Sequence, residues 1–188
     1  LFVPSGKVAK DYSGKEEIID GLREAMVQAR VCDIRYHSFR NDRVKDYRIE
    51  PLHFFESNGG LYAFVRIPAY DEVRTLAVER IQELTPTGES FDYPADFNPE
   101  SFLSSSFGII RDQRVRCRIR FAAEVAKYIR ERAWAPGQRL SECPEDGSVT
   151  LEMDTWGRLD VKRWVLSYGP SAQVLEPAMP KRTSLPSI

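Results

Sequence analysis

Cysteine, histidine and long apolar runs are scarce in this chain of 188 residues, and each scarcity excludes a class of protein. The three cysteines, Cys32, Cys117 and Cys143, lie far apart, which argues against a disulfide framework and against a zinc site. No apolar run reaches the ~18 residues that a membrane span needs, and no signal peptide is visible. We therefore expect a cytoplasmic protein without a membrane partner.

Catalytic signals are also missing. The two histidines, His37 and His53, accompany no nucleophile motif, and the nucleophile elbow, the P-loop, the zinc-protease motif and the dinucleotide fingerprint are all absent. We expect no catalytic residues, no metal site and no cofactor, and hence no enzyme. A net charge of −1 argues against general nucleic-acid binding. The chain starts at Leu1, which suggests a fragment of a longer protein.

The most informative stretch covers residues 61–84. Its pattern predicts a strand over residues 61–67, a turn over residues 68–72 and a strand with Arg74, Leu76 and Val78 on one face. Arg74 and Arg80 then lie in or beside well-packed β structure. An arginine there must reach water, an acidic partner or an anionic ligand, because an unpaired buried charge is costly.

Before this stretch, the pattern predicts one helix and two strands. Ser13 and Glu16 form a capping box that would begin the helix, and Gly21 within it would allow a close contact. Strands follow at residues 31–36 and 44–55, with Pro51 favouring an edge or a bulge. The last strand of this group ends at residues 86–88. A helix followed by about five short strands indicates a small, strongly bent barrel.

Residues 88–112 have the composition of a linker, but five aromatic residues would dock it on a domain surface: Phe91, Tyr93, Phe97, Phe102 and Phe107. A second domain follows, with a strand at residues 115–121, a helix at 122–132, a strand at 149–153, a helix at 160–167 capped by Asp160, and a strand at 172–175. This order predicts the split βαβ, or ferredoxin-like, arrangement.

Two groups of arginines are candidate anion sites. The first strand of the second domain carries a row on one face: Arg114, Arg116, Arg118 and Arg120. Such a row repels itself unless it is solvated, paired with acids or offered to an anion. A strand face covered by acidic residues and an anion-binding face are equally compatible with this pattern.

The second group lies in the predicted barrel, where arginines could converge with aromatic side chains: Arg66, Arg74 and Arg80 with Tyr36, Tyr62 and His53. Guanidinium groups beside rings would hold a phosphate and stack a base. The structural alternatives are that Tyr62 belongs to the core, that His53 is a surface histidine, and that Arg80 pairs with Glu79 or Glu83.

The chain resembles the WYL domain family, whose pattern is a Trp-Tyr-Leu tripeptide, an Arg-x-Phe stretch and an Asp-Arg-Ile stretch. Tyr62, Arg74, Arg80 and Ile81 match it, whereas Leu61 stands in place of Trp. The other departures are Ala63 for Leu, Leu76 for Phe and Glu79 for Asp. Residues 34–36 and 47–52 match the elements before the tripeptide. Residues 106–109, 131–134, 146–148, 164–169 and 174–177 resemble the C-terminal extension usually fused to it.

The resemblance implies an α+β protein. Residues 1–12 would be a lead-in, 13–87 a WYL domain built as an Sm-like five-stranded β-barrel with an N-terminal helix, 88–112 a linker, 113–177 a ferredoxin-like βαββαβ extension and 178–188 a tail. Trp164 would lie in the core of that extension, and Trp134 at a dimer contact or near a ligand.

The family further implies the effector-sensing region of a bacterial transcription regulator, with a helix-turn-helix domain upstream that binds operator DNA, and a homodimer. The ligand would be an anion such as single-stranded DNA or a nucleotide-like effector. The resemblance implies ligand-binding roles for Tyr36, Tyr62, Arg74 and Arg80. From the arginine and aromatic patterns described above, we add His53, Arg66, Arg116, Arg118 and Arg120 to the predicted ligand-binding residues. The ligand would bridge the barrel arginines and the arginine strand, and so change the spacing of the DNA-reading domains. The alternative is a structural dimerisation module without a ligand.

Overall fold

The computed structural model describes residues 10–39 and 41–177, so the first part of the lead-in and the whole tail lie outside the described residues. The chain divides into two compact units, Leu1–Pro99 and Glu100–Ile188. The structure is α+β, as the sequence predicts, with mostly antiparallel sheets and four α-helices in the described part. The domain boundaries drawn from the sequence stay predictions.

The first unit contains one helix and one five-stranded sheet. Its elements are α1 (Glu16–Gln28), β1 (Arg30–Ser38), β2 (Arg43–Ser57), β3 (Gly60–Ile67), β4 (Glu72–Ala77) and β5 (Ile81–Ser90). The strands lie in the order β4-β3-β2-β1-β5, and the ladders are antiparallel. Two 3-10 turns, Pro68–Tyr70 and Val78–Arg80, stand before and after β4.

Helix α1 covers one face of this sheet with Leu22 and Ala25, which are both buried. The predicted capping box is wrong: the N-cap position is Lys15, and the Ser13 hydroxyl donates to Asp11 instead. The predicted close contact at Gly21 is confirmed. A Cβ atom there would lie 2.8 Å from the Leu84 side chain of β5, so the helix approaches the sheet closely at this point.

Pro51 lies within β2 and Pro86 within β5, and both strands continue beyond the proline. The ladder between β2 and β3 shifts register between Pro51 and His53, which confirms the predicted bulge. The predicted end of β5 at residues 86–88 is wrong, because β5 continues to Ser90. This strand lies at the sheet edge, where a proline is tolerated. Within the described residues no ladder joins β4 to β5, so the sheet is open and the Sm-like barrel stays a prediction.

The segment after β5 is held against the first unit by aromatic side chains, as its composition predicts. Phe91 is buried, and its N–H donates to the Ala29 carbonyl at 2.9 Å. The Phe97 ring meets the Phe64 ring edge-on, with centroids 5.6 Å apart. Residues 91–97 are therefore part of this unit.

The second unit has the element order that the split βαβ pattern requires. Its elements are α2 (Pro99–Ser104), β6 (Arg114–Phe121), α3 (Ala123–Arg130), β7 (Arg139–Glu142), β8 (Val149–Trp156), α4 (Arg158–Ser167) and β9 (Ala172–Glu176). The strands lie in the order β7-β8-β6-β9 and are antiparallel. β8 thus lies between β6 and β7, the strands on either side of α3, and the ferredoxin-like assignment stays a prediction.

The beginning of α4 differs from the prediction. Gly157, with φ of +96°, occupies the N-cap position, and Asp160 lies within the helix. The Asp160 carboxylate instead accepts a hydrogen bond from the Ile110 N–H at 3.0 Å. The predicted cap is wrong because a partner distant in sequence satisfies that carboxylate.

Two tryptophans lie together at the edge of the second core. The Trp134 and Trp164 ring centroids are 4.5 Å apart, and the Trp134 indole N–H donates to the Ile129 carbonyl at 3.0 Å. The Phe107 ring lies 4.9 Å from Trp164. The position of Trp134 is thus explained by packing within its own unit, and its predicted role at a dimer contact or ligand stays a prediction.

Candidate anion-binding site

Arg80 ends the short turn that joins β4 to β5. Val78, the first residue of that turn, is fully buried and anchors it in the core. The guanidinium carbon of Arg80 lies 4.0 Å from the centroid of the Phe39 ring. The Arg80 Nε atom is buried, and no hydrogen-bond partner for it is found among the described residues. Arg80 is therefore held by an aromatic ring while part of its donor capacity remains unused.

The two acidic residues that the sequence offers to Arg80 are occupied by other cations. The Glu79 carboxylate pairs with Lys10, and the Glu83 carboxylate pairs with Arg35 at 2.7 Å. Among residues 10–39 and 41–177, no carboxylate lies within ion-pair distance of Arg80. The structural alternative for Arg80, an ion pair with Glu79 or Glu83, is therefore not what the fold builds.

Tyr36 lies beside Arg80 and forms the buried side of this site. It belongs to β1 and is only 8% exposed, and its hydroxyl accepts a hydrogen bond from the Ala77 N–H at 3.3 Å. Burial raises the pKa of Tyr36, and the opposing effects of the Ala77 N–H and of the Arg80 guanidinium are smaller. Tyr36 therefore stays a neutral phenol at neutral pH, and Arg80 is not neutralised by a phenolate.

Phe39 supplies the open side of the same site. It follows the last residue of β1, and it is 63% exposed although it is a large apolar side chain. The His37 ring meets it edge-on at 5.1 Å, and His37 in turn contacts the Asp42 carboxylate at 2.7 Å. His37 and Arg80 thus hold the Phe39 ring, while most of its surface faces solvent.

Tyr62 is close to this site in the fold, but its ring is covered. It is 9% exposed and stacks on Phe55 with centroids 5.4 Å apart. Lys10 donates to its hydroxyl at 3.3 Å and also pairs with Glu79. The second oxygen of Glu79 is buried, and the described part of the chain gives it no hydrogen-bond partner. Tyr62 thus belongs to the core. Lys10, at the start of the described chain, contacts both Tyr62 and the turn that carries Arg80.

Arg74 is on β4 and is held locally. The Glu72 carboxylate accepts from it at 2.7 and 2.9 Å, and its guanidinium lies 4.7 Å from the centroid of the Tyr70 ring. The contacts resemble those of Arg80 except for the carboxylate. An anion at Arg74 would therefore have to compete with Glu72.

Arg66 lies apart from Arg80. It pairs with Glu50, a carboxylate that is only 7% exposed, in the wall of an open cleft of about 690 Å³. Val31 also lines this cleft, and it precedes Tyr36 by five residues on β1, which is about 16 Å along a strand. The predicted convergence of Arg66 with Arg80 is therefore wrong.

The cleft around Arg66 has mixed charge, and His53 has no part in it. Its charged lining consists of Arg48, Glu50, Arg66, Glu89 and Asp92, so it favours no anion by charge alone. His53 is exposed at the β2 bulge, opposite Phe64. Its predicted role in binding stays a prediction.

The arginine row on β6 alternates with buried residues as predicted, and acidic residues cover most of it. Arg114 pairs with Asp154 at 2.8 Å, Arg118 with Glu152 at 3.2 Å and with Glu176 at 3.3 Å, and Arg120 with Asp146. Arg116 is exposed, and no ion pair is found for it among the described residues. The covered face is therefore the better description of this row.

The sequence patterns missed three residues with specific long-range or cation–π contacts: Phe39 and Lys10 at the Arg80 site, and Arg111 in the second unit. Phe39 lies in a turn without periodicity, and Lys10 acts on a residue 69 positions away. Arg111 lies 4.3 Å from the Phe102 centroid and 4.8 Å from the Trp156 centroid, and it donates to Ser105 at 2.9 Å. Burial lowers the pKa of Arg111. A local sequence pattern carries no signal for contacts of this kind.

No helix in the described ranges is long and apolar enough to cross a membrane. The same ranges contain no group of three or more His, Cys, Asp or Glu side chains placed to hold a metal ion.

Comparison with protein families gives two matches. Residues 17–86 match the WYL domain, and residues 113–179 match the WCX domain. The first match contains Tyr36, Phe39 and Arg80, and the second contains the arginine row of β6. A comparison with curated proteins finds no match.

The solved structures similar to the chain include the following two. Proteasome accessory factor B/C (PafBC) of Arthrobacter aurescens is 20% identical over 90% of this chain and 26% of its own, with a TM-score of 0.46. A CRISPR Cas-related protein is 11% identical over 89% of this chain and 48% of its own, with a TM-score of 0.57, which indicates a similar fold. This chain thus spans about a quarter of the first structure and about half of the second.

Proposed function

Because the chain belongs to the WYL domain family and carries a WCX domain after its WYL domain, we propose that it is the effector-sensing region of a bacterial transcription regulator. In this proposal the WYL domain binds an anionic ligand, single-stranded DNA or a nucleotide, and does not catalyse a reaction. A separate DNA-binding domain of the same cytoplasmic protein reads the operator.

The observation that carries this proposal is the state of Arg80. Its guanidinium rests on Phe39 at 4.0 Å, no carboxylate of the described residues pairs with it, and the acids nearest in sequence are taken by Lys10 and Arg35. A phosphate oxygen would satisfy the guanidinium without breaking an existing ion pair. Arg80 is also the arginine of the Asp-Arg-Ile element in the family pattern.

Sensing requires that the ligand bind one conformation of the regulator better than another. The turn that holds Arg80 also holds Glu79, which is tied to Lys10 at the start of the described chain. We propose that anion binding at Arg80 changes the charge balance in this turn and is thereby coupled to operator binding by a homodimer. The coupling is reciprocal, so operator DNA would also change affinity for the anion.

The test is fluorescence anisotropy of a labelled short single strand, titrated with the purified protein at several salt concentrations. Arg80→Met keeps an apolar stem on Phe39 and removes the charge, and we expect it to weaken binding roughly 10- to 100-fold. It should also reduce the slope of log affinity against log salt by about 0.7. Circular dichroism would verify that the variant is folded.

Arg74→Met is the matched control. Arg74 also lies over an aromatic ring, that of Tyr70, but Glu72 already neutralises its guanidinium. We expect it to reduce affinity by less than about threefold, as for a screened surface charge. Equal losses in the two variants, or no binding by the native protein, would contradict the proposal.

A structural dimerisation module is the second candidate, and the ion pairs of Arg66, Arg74, Arg118 and Arg120 favour it. In that case the arginines serve only the fold. Sedimentation velocity would then show a stable dimer whose dissociation constant does not change when the single strand is added.

A further inference from the structure

A nucleotide offers two surfaces for recognition, an anionic phosphate and the face of a base. Arg80 accounts for the first but not for the second. The two tyrosines that the sequence offers for stacking are both covered, since Tyr36 is 8% exposed and Tyr62 is stacked on Phe55. Leu61, where the family pattern has Trp, provides no aromatic ring. A site that grips a base therefore needs another ring.

Phe39 is the ring that meets this need. It touches Arg80 at 4.0 Å and is 63% exposed, so part of the ring is available next to the guanidinium. His37 meets it edge-on, at 5.1 Å and an interplanar angle of 78°, and Asp42 fixes His37 at 2.7 Å. Holding the ring in place before binding reduces the side-chain entropy lost when a ligand stacks on it.

The cost of exposing this ring also has to be explained. An exposed phenylalanine gives up the free energy of burying its ring, although a single exposed ring is unremarkable on its own. Here, however, the ring lies against a cation that no carboxylate of the described residues neutralises. An aromatic face adjoining an uncompensated guanidinium is complementary to a base joined to a phosphate.

Resting on the proposed function, we infer that Phe39 is the base-stacking residue of the Arg80 site, so that the effector is a nucleobase-bearing anion and not a simple anion. The phosphate pairs with Arg80, and the adjoining base lies on Phe39. Because every base has a π-face, this contact discriminates bases from non-bases and has little preference among sequences.

The test compares two labelled strands of equal phosphate number, about eight nucleotides long: one of thymidines and one abasic. We expect the native protein to prefer the thymidine strand by roughly tenfold. Phe39→Leu should reduce its affinity for the thymidine strand to that for the abasic strand and leave the abasic affinity unchanged. Phe39→Trp should keep or increase the preference.

Tyr70→Leu is the matched control. Tyr70 is 59% exposed and lies under Arg74 at 4.7 Å, but Glu72 neutralises that arginine. The preference for the thymidine strand should survive in this variant. Equal loss in the Tyr70 and Phe39 variants would mean that any exposed ring serves, and would overturn the inference.

Failure of the inference is distinguishable from failure of the proposed function. If Arg80→Met weakens binding of both strands while Phe39→Leu leaves the preference unchanged, the anion site stands and the stacking role of Phe39 falls.

If Phe39→Leu weakens binding of both strands equally, the ring only supports Arg80, and the inference is again overturned. If Phe39→Leu changes the sedimentation coefficient and not the preference, the ring serves contact between copies. If the native protein binds neither strand, both proposals fall.

Discussion

Single carboxylates decide which arginines of this chain are available to a ligand. Arg74 is held by Glu72 at 2.7 Å, and Arg35 by Glu83 at 2.7 Å. An anion at either arginine must displace a carboxylate that the fold already holds nearby, so the exchange gains little free energy. At Arg80 the neighbours are the Phe39 ring and the Tyr36 hydroxyl, and neither is a carboxylate that a phosphate would have to displace.

The three cysteines should differ sharply in reactivity. Burial raises the pKa of Cys32 and of Cys117 to about 11 in each case, whereas Cys143 is partly exposed. The thiolate is the reactive form, so at pH 8 a thiol reagent should label only Cys143 in the folded protein and all three cysteines in denaturant. Mass spectrometry after iodoacetamide treatment would identify the sites, and rapid labelling of Cys32 in the native state would contradict the burial.

The same two thiols give a pH dependence of stability. A pKa raised in the folded state means that the unfolded chain loses these protons first, from the ordinary value of 9.0 upward. Their contribution to stability is therefore complete below about pH 9 and is lost as the pH rises towards about 11. The Cys32→Ala, Cys117→Ala double variant should lose less stability than the native protein between these pH values in urea titrations.

Residue types were readable from the sequence, but their partners were not. Arg80 and Tyr36 could be named because they follow a family pattern, and the Arg80 position beside β structure follows from the strand periodicity. That Glu79 would be taken by Lys10, 69 residues away, depends on how the chain folds back across β3. The role that we propose for Phe39 depends on the absence, within residues 10–39 and 41–177, of such a carboxylate partner for Arg80, which no local pattern records.

At the scale of the element, strand β6 shows how far periodicity extends. A period of two predicted its alternation of buried residues and arginines, and the burial pattern agrees. The carboxylates that cover the arginines come from other elements, with Glu152 on β8, Glu176 on β9 and Asp146 in the turn before β8. The strand order decides whether such a row is open to an anionic ligand or is paired with carboxylates of the protein itself, and the local sequence does not encode that order.

The start of α4 depends on a residue without a side chain. Gly157 has φ of +96°, and a Cβ atom there would lie 3.0 Å from the Ile110 carbonyl oxygen, which is backbone and cannot easily move. We expect Gly157→Ala to lower the free energy of unfolding by about 2–3 kcal/mol, measured by urea titration. Strain in the left-handed region and the close contact both contribute.

Gly137→Ala separates these two contributions. Gly137 also has a positive φ, +70°, but a Cβ atom there meets nothing within 4 Å. Its substitution should cost only the backbone strain, about 1 kcal/mol. Equal losses in the two variants would show that the contact with Ile110 has no energetic weight.

At the scale of the whole chain, two separate cores organise the structure. The first combines α1 with the five-stranded sheet and includes Leu22, Ile49 and Val65, all fully buried. The second combines α3 and α4 with the four-stranded sheet and includes Phe121 and Ile129, also fully buried. Each unit thus has what a domain needs to fold alone. The element order of the sequence predicts two units. Whether the first sheet is open or closed depends on whether its edge strands, β4 and β5, pair with each other, which the element order does not show.

The extent of the first unit leads to a prediction about fragments. A fragment of residues 1–99 should unfold cooperatively, and a fragment of residues 1–87, which ends at the predicted domain boundary, should be about 2–4 kcal/mol less stable. The shorter fragment lacks buried Phe91 and its hydrogen bond to Ala29, and it also lacks Phe97, whose ring contacts Phe64. Urea titrations followed by circular dichroism would measure the difference. Phe91→Ala in the longer fragment should reproduce most of it, because Phe91 is the buried one of the two lost aromatic residues. Equal stability of the two fragments would mean that residues 88–99 are a true linker and not part of the domain.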